Sequence, residues 1–258
     1  MMKNKFICII FVIAVSLVFG INAVNAELFL SGDTNITNPL TGSFGVSIDT
    51  GNQKFFANIL QGGHNVAVLQ STWSGSVGSA YTDVNTFYNS LPGVTSTVIS
   101  GTINSLAGYD LLVAPLPDHA FAAGEISIFS NFLAQGGSIF FTGENSDISF
   151  AMSNSAINTV LAALGSGMSI KSSIFDSGFH TATGAQIAAD LFTAGVSTFT
   201  YAAPSEVLLG GGTPLFFGTQ GQMFLSYEQT SNVPIPAAFW IFGSGLLGLL
   251  GIRRKILK

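Results

Sequence analysis

YDLLVAPLPDHAFAAGEISIFSNFLAQGGSIFFTGEN, residues 109–145, holds two short apolar runs with a helix-length segment between them. The runs 109–114 (YDLLVA) and 138–142 (SIFFT) are too short for helices and apolar at consecutive positions, the pattern of strands buried on both faces. Between them Ile126, Phe129 and Leu133 recur at helical spacing within 121–135, and Gly136-Gly137 ends the segment. Strand, helix, strand with short joints predicts parallel neighbours linked by a crossover helix. The alternation extends outward in both directions. Upstream lie a strand at 65–70 (NVAVLQ), a helix at 81–90 stopped before Pro92, and a β-branched strand at 95–100 (TSTVIS). Downstream a helix at 156–164 ends at Gly165. Nearer the start, Asp49 or Thr50 can cap a helix carrying Phe55, Phe56, Ile59 and Leu60, ended by Gly62-Gly63. The expectation is a single doubly wound α/β domain with a mostly parallel sheet, in which 65–70, 109–114 and 138–142 are adjacent strands.

The last third changes character. Short runs at 197–201, 206–209, 214–218 and 222–227 are separated by turns such as Gly210-Gly211-Gly212, which predicts C-terminal β-hairpins finishing the sheet. No repeat of 20–50 residues is visible, which argues against a solenoid or propeller. The succession YDLLVAPLPDHAF, helix, AQGGSIFFTGEN and late hairpins resembles the class I glutamine amidotransferase-like domains of the flavodoxin-like fold, over roughly residues 65–227. The resemblance implies a fold, and with it a nucleophilic cysteine in the turn after 138–142. Here that turn reads Thr142-Gly143-Glu144, and the one cysteine, Cys8, lies in the leader described next. Thiol-dependent glutaminase chemistry by that route is excluded.

Two targeting segments flank the domain. Residues 1–26 read as a signal peptide: Lys3 and Lys5, an apolar run at 6–19, and small residues at Val24-Asn25-Ala26. The competing reading is a second membrane helix. Cleavage after Ala26 leaves Glu27 at the mature N-terminus. At the other end, 233–258 reads VPIPAAFWIFGSGLLGLLGIRRKILK. Val233, Pro234, Ile235 and Pro236 precede an uncharged stretch, 237–252, with Phe239, Trp240 and Phe242 at its outer end. That stretch reaches about 24 Å as a helix, short of a hydrocarbon core of about 30 Å. Arg253, Arg254 and Lys255 fix the C-terminus in the cytoplasm and the domain outside. The order of motif, helix and basic end resembles the PEP-CTERM class of bacterial sorting signals, in its Val-Pro-Leu-Pro-Ala variant, with Ile235 at the variable position. The resemblance implies recognition by an exosortase and removal of the helix near the motif. A plain, unprocessed anchor is the competing reading.

Between the flanks, residues 27–232 carry all thirteen acids against Lys54 and Lys171 alone, a net charge of −11. Such a surface repels phosphate backbones, so nucleic acid is excluded as a partner class. Chemistry in an open parallel sheet gathers beyond the carboxyl ends of its strands. Those ends carry Ser71-Thr72-Trp73, Asp118-His119, and Gly143-Glu144-Asn145 followed by Asp147. Asp118 and His119 make a candidate acid–base pair, with Glu144 as carboxylate partner and Ser71 as nucleophile. Against it, Asp118-His119 also reads as a polar turn before a helix, and Ser71 lacks a nucleophile elbow. Asp33, Asn35 and Asn38 bring oxygen side chains together as an Asx-rich turn or a cation site; Glu144, Asp147 and Asp118 are a second cation set. No cofactor is expected beyond loosely bound calcium. The leading expectation is an exported envelope or extracellular-matrix protein of a Gram-negative-type bacterium, handled by signal peptidase and exosortase. Its domain is expected to be a non-enzymatic binding or structural module associated with exopolysaccharide. A secreted hydrolase of polysaccharide or peptide, and a permanently anchored periplasmic protein, are the alternatives.

Overall fold

The computed structural model of the chain describes residues 26–38, 48–73 and 77–230. These residues lie within one compact unit, Ala26–Asn232. Its main sheet contains β1 (Ala26–Ser31), β2 (Asn65–Leu69), β3 (Thr95–Ile99), β4 (Leu111–Pro115), β5 (Ser138–Thr142), β10 (Thr213–Phe217) and β11 (Met223–Thr230). They lie in the order β10-β11-β1-β5-β4-β2-β3. The five strands from β1 to β3 in that order run parallel, whereas β11 is antiparallel to β1 and β10 to β11. The strands expected at 65–70, 109–114 and 138–142 are therefore adjacent and parallel.

Side-chain alternation along the strands builds two cores. Val66, Val68, Val113 and Phe140 face one side, where they meet Phe55, Phe56 and Phe87 of helices α1 (Thr50–Ile59) and α2 (Ala80–Ser90). Ala67, Leu112, Ile139 and Phe141 face the other side, against Phe129, Leu133, Ile157 and Leu161 of α3 (Ala123–Ala134) and α4 (Ala151–Ala163). Local chemistry sets the helix ends. Asp49 accepts a hydrogen bond from the Gly51 amide at 2.9 Å and starts α1. Pro92 forces Leu91 into an extended conformation (ψ 136°) and stops α2. Gly136 takes φ +93°, where a Cβ would be strained, and ends the turn after α3.

The handedness of crossovers explains the layering. Passing from β1 to β2 to β3, the chain moves in one direction across the sheet with α1 and α2 on the first face. From β3 through β4 to β5 it moves back, and right-handed connections then require the second face. The β3–β4 connection has no helix; buried Ile103 and Leu106 fill its place in the second core. Chains leaving the carboxyl ends of neighbouring strands thus part to opposite faces between β2 and β4 and between β5 and β1, switch points where open α/β sheets form crevices.

Two sequence expectations are corrected here. The segment 197–201 does not finish the main sheet; β8 (Thr198–Ala202) pairs with β7 (Phe179–Thr183) in a separate ribbon. Nor does 206–209, since β9 (Val207–Leu208) pairs with β6 (Ser169–Ile170). Only the β10–β11 hairpin joins the sheet. In addition β1, unforeseen, sits in the middle of it, with all six residues buried. The signal peptide, apart from Ala26, and the whole 233–258 segment lie outside the described residues. Among the described residues no helix is long and apolar enough to cross a membrane.

Candidate functional site

The β1/β5 crevice is built from two echoing stretches, LFLSGD at 28–33 and IFFTGE at 139–144. They run in matched register, Leu28 beside Ile139 and Ser31 beside Thr142, so Gly32-Asp33 and Gly143-Glu144 leave neighbouring strands at the same level. Gly32 has to be glycine, since a Cβ there would lie 2.1 Å from the Ser205 backbone carbonyl oxygen; a Cβ on Gly143 would lie 2.4 Å from Asn154 Oδ1 and push that side chain aside. Passing so close to their neighbours, the two turns tuck the acids inward. Asp33 is 0% exposed and Glu144 1%.

The side-chain amide of Asn35 lies between them, 3.1 Å from Asp33 Oδ1 and 3.0 Å from Glu144 Oε2. Asp33 also accepts from the amides of Asn35 (2.8 Å) and Ala202 (2.7 Å). Glu144 accepts twice from Asn145, backbone and side chain, each at 3.0 Å. Asn154 accepts from the Glu144 amide and donates to its carbonyl, while the Thr34 and Thr142 hydroxyls join at 2.6 Å. Burial pushes the Asp33 carboxyl up to about 7 against these donors. Glu144 is raised well above the carboxylate range, by burial first and then by the charge of Asp33.

The β2/β4 crevice gathers Ser71, Thr72, Trp73, Asp118 and His119. Asp118 Oδ2 accepts from the Thr72 amide at 2.6 Å, and Asp118 Oδ1 lies 2.8 Å from His119 Nδ1. Burial works against the Asp118 charge, but hydrogen bonds from His119 and Thr72 outweigh it and hold this carboxyl below its usual range. Trp73 packs on Phe150 with ring centroids 5.5 Å apart, and Ser153 donates to the Pro117 carbonyl, so the loops after β2, β4 and β5 are tied together. Ile148, at the start of the turn holding Phe150, is 90% exposed.

The candidate triad is not assembled. Glu144 belongs to the β1/β5 crevice with Asp33, where Asn35 and Asn145 donate to its carboxylate. The second carboxylate near His119 is Glu125, 3.8 Å from Nε2, and its oxygens already accept from the Ile103 and Ala122 amides. Ser71 gives its hydroxyl hydrogen to the Leu116 carbonyl at 3.0 Å and is buried, so the nucleophile reading fails on geometry. Of the two cation sets, Asp33 and Asn35 form the Asx turn that was the competing reading. Asp147 points elsewhere, accepting from the Ser149 amide at 2.8 Å to cap a short turn at Ile148–Phe150. Among the described residues no group of three or more His, Cys, Asp or Glu side chains could hold a metal ion. Two cavities, of about 150 and 430 Å³, lie away from both crevices, near Leu133 and Glu228 and near Ile187 and Asp190.

No protein-family model matches the chain, and no curated protein does. Among solved structures the mmIFT52 N-terminal domain is similar at a TM-score of 0.44 and 14% identity, over 59% of this chain and 72% of that one. That likeness is too slight to argue from.

Proposed function

We propose that this chain is an exported envelope or matrix protein whose α/β domain is a non-catalytic binding or structural module. In this reading the 233–258 segment holds it at the membrane until an exosortase removes the helix, and its partner is exopolysaccharide. The observation that supports a module without catalysis is the position of Glu144. The carboxylate that would complete an acid–base set with His119 is sealed beside Asp33, satisfied by amide donors. The β2/β4 rim is where a polysaccharide would lie. Trp73 and Phe150 give apolar ring faces for the C–H faces of sugars, while Thr72 and Asp118 give polar edges. An acidic, cation-poor surface favours a neutral or basic polymer over an acidic one.

The domain's chain ends suit the tether. Ala26 pairs with Thr230 at the amino ends of the parallel strands, the edge opposite both crevices. The test is co-sedimentation with exopolysaccharide from the producing strain. Trp73→Ala is expected to weaken retention at least fivefold, and His119→Ala to leave both retention and folding unchanged. Equal retention by wild type and Trp73→Ala contradicts the assignment of the rim. The Asp118–His119 contact keeps one second reading open, a secreted hydrolase; hydrolysis of polysaccharide or peptide that disappears with His119→Ala would establish it.

A further inference from the structure

We propose that Asp33 and Glu144 act as a proton-operated latch fastening the β7–β8 ribbon to the carboxyl ends of β1 and β5. The fastening is specific. Asp33 accepts from the Ala202 amide at 2.7 Å, and Asn35 Nδ2 lies 3.4 Å from the Ala202 carbonyl oxygen, so two side chains grip both backbone polar groups of one residue as a neighbouring strand would. Three residues on, the Ser205 amide donates to the Gly32 carbonyl at 2.9 Å. Between these points Ala203 sits at φ +47°, a left-handed conformation that strains a residue with a Cβ. The ribbon is thus held in a strained turn by the contacts that the acid pair organises.

The charge balance makes the grip dependent on a proton. The two acids share one neutral amide, and two adjacent buried carboxylates cannot both ionise cheaply. No cation among the described residues relieves them: Lys171 is held by Glu206 at 2.7 Å, and Lys54 lies beside Gly195. From β5 and α4 the facing groups are the neutral amides of Asn145 and Asn154. From β8 it is Tyr201, whose hydroxyl donates to Asp176 at 2.7 Å and whose ring stacks on His180. Burial first, then Asp176 and lastly Asp33, raise the Tyr201 phenol, so it supplies no charge to relieve the pair.

The sign follows from linkage. Closed, the Asp33 carboxyl titrates at about 7; released to water, it returns to the ordinary range near about 4. Between those values the closed form holds the extra proton, so opening grows with pH, up to about tenfold per unit, and levels off above about 7. The measurement is amide hydrogen exchange of the full-length, detergent-solubilised chain at pH 5 and pH 7, corrected for the intrinsic rate. Peptides covering 199–205 and 33–38 are compared with 111–115 in β4. The latch predicts a rise in opening of at least thirtyfold for the first two and no rise for β4. Asp33→Asn with Glu144→Gln removes both titrating carboxyls while keeping oxygens that can accept from the same amides, so its rise should shrink below threefold. A rise in that double variant equal to that of wild type overturns the proposal. If that variant fails to fold, wild type alone decides: no rise at 199–205, or the same rise in β4, overturns it.

Discussion

Asn52 shows how much of this molecule rests on single amide side chains. From α1 it donates to the Ile36 carbonyl at 2.9 Å and the Thr200 carbonyl at 2.8 Å, and it accepts from the Thr200 amide at 2.7 Å. It is fully buried, so Asn52→Ala strands polar groups that water cannot reach. The cost of such a loss is about 1–3 kcal/mol per orphaned group. Urea unfolding of Asn52→Ala should therefore show at least that destabilisation, whereas a change within experimental error would mean that water or a rearrangement replaces the amide. None of this was legible in the sequence, because Thr200 and Ala202, which Asn52 and Asn35 hold on β8, lie 148 and 167 residues away. The acid pair was half legible. Asp33, Asn35 and Glu144 were singled out, but for metal or acid–base roles. The signal that joins them is the echo of LFLSGD in IFFTGE, which only becomes meaningful once both stretches are seen as neighbouring strands.

At the scale of elements, local signals were read well and long-range pairing poorly. The Asp49 cap, the stop at Pro92 and the glycine ends are decided by residues within a few positions, and the structure has them where the sequence put them. The partners of 197–201 and 206–209 depend on segments well away in the chain, and alternation cannot name a partner. β1 was hidden for another reason: its apolar run directly follows the leader's expected cleavage site. Helix α1 is held by an aromatic cluster rather than by its cap. Phe55 meets Phe29, Phe56, Phe140, Phe199 and Phe216 edge to face at 5.3–6.5 Å. Truncating a buried phenylalanine costs about 3–5 kcal/mol, and losing an N-cap about 1 kcal/mol. Thermal or urea unfolding should thus rank Phe55→Ala well below Asp49→Ala in stability. The reverse order would mean that the cluster is looser than its geometry indicates.

For the whole molecule, the fold class was written in residues 109–145, because two doubly buried strands and a crossover helix leave few architectures open. The proposed function rests elsewhere, on the flanks, and those lie outside the described residues. The account joins the two through the position of the domain's ends: Ala26 and Thr230 pair side by side, so processing at both flanks would trim one edge and leave both crevices untouched. In the proposed sorting reading Pro234 and Pro236 matter because a proline fixes φ at about −65° and donates no backbone hydrogen bond. Intact-mass analysis of the protein recovered from cells with an active exosortase tests this most directly. The account predicts a species beginning at Glu27 and lacking residues 239–258, with Pro234→Ala/Pro236→Ala accumulating uncut in the membrane. A wild-type protein intact to Lys258 in those cells would contradict it.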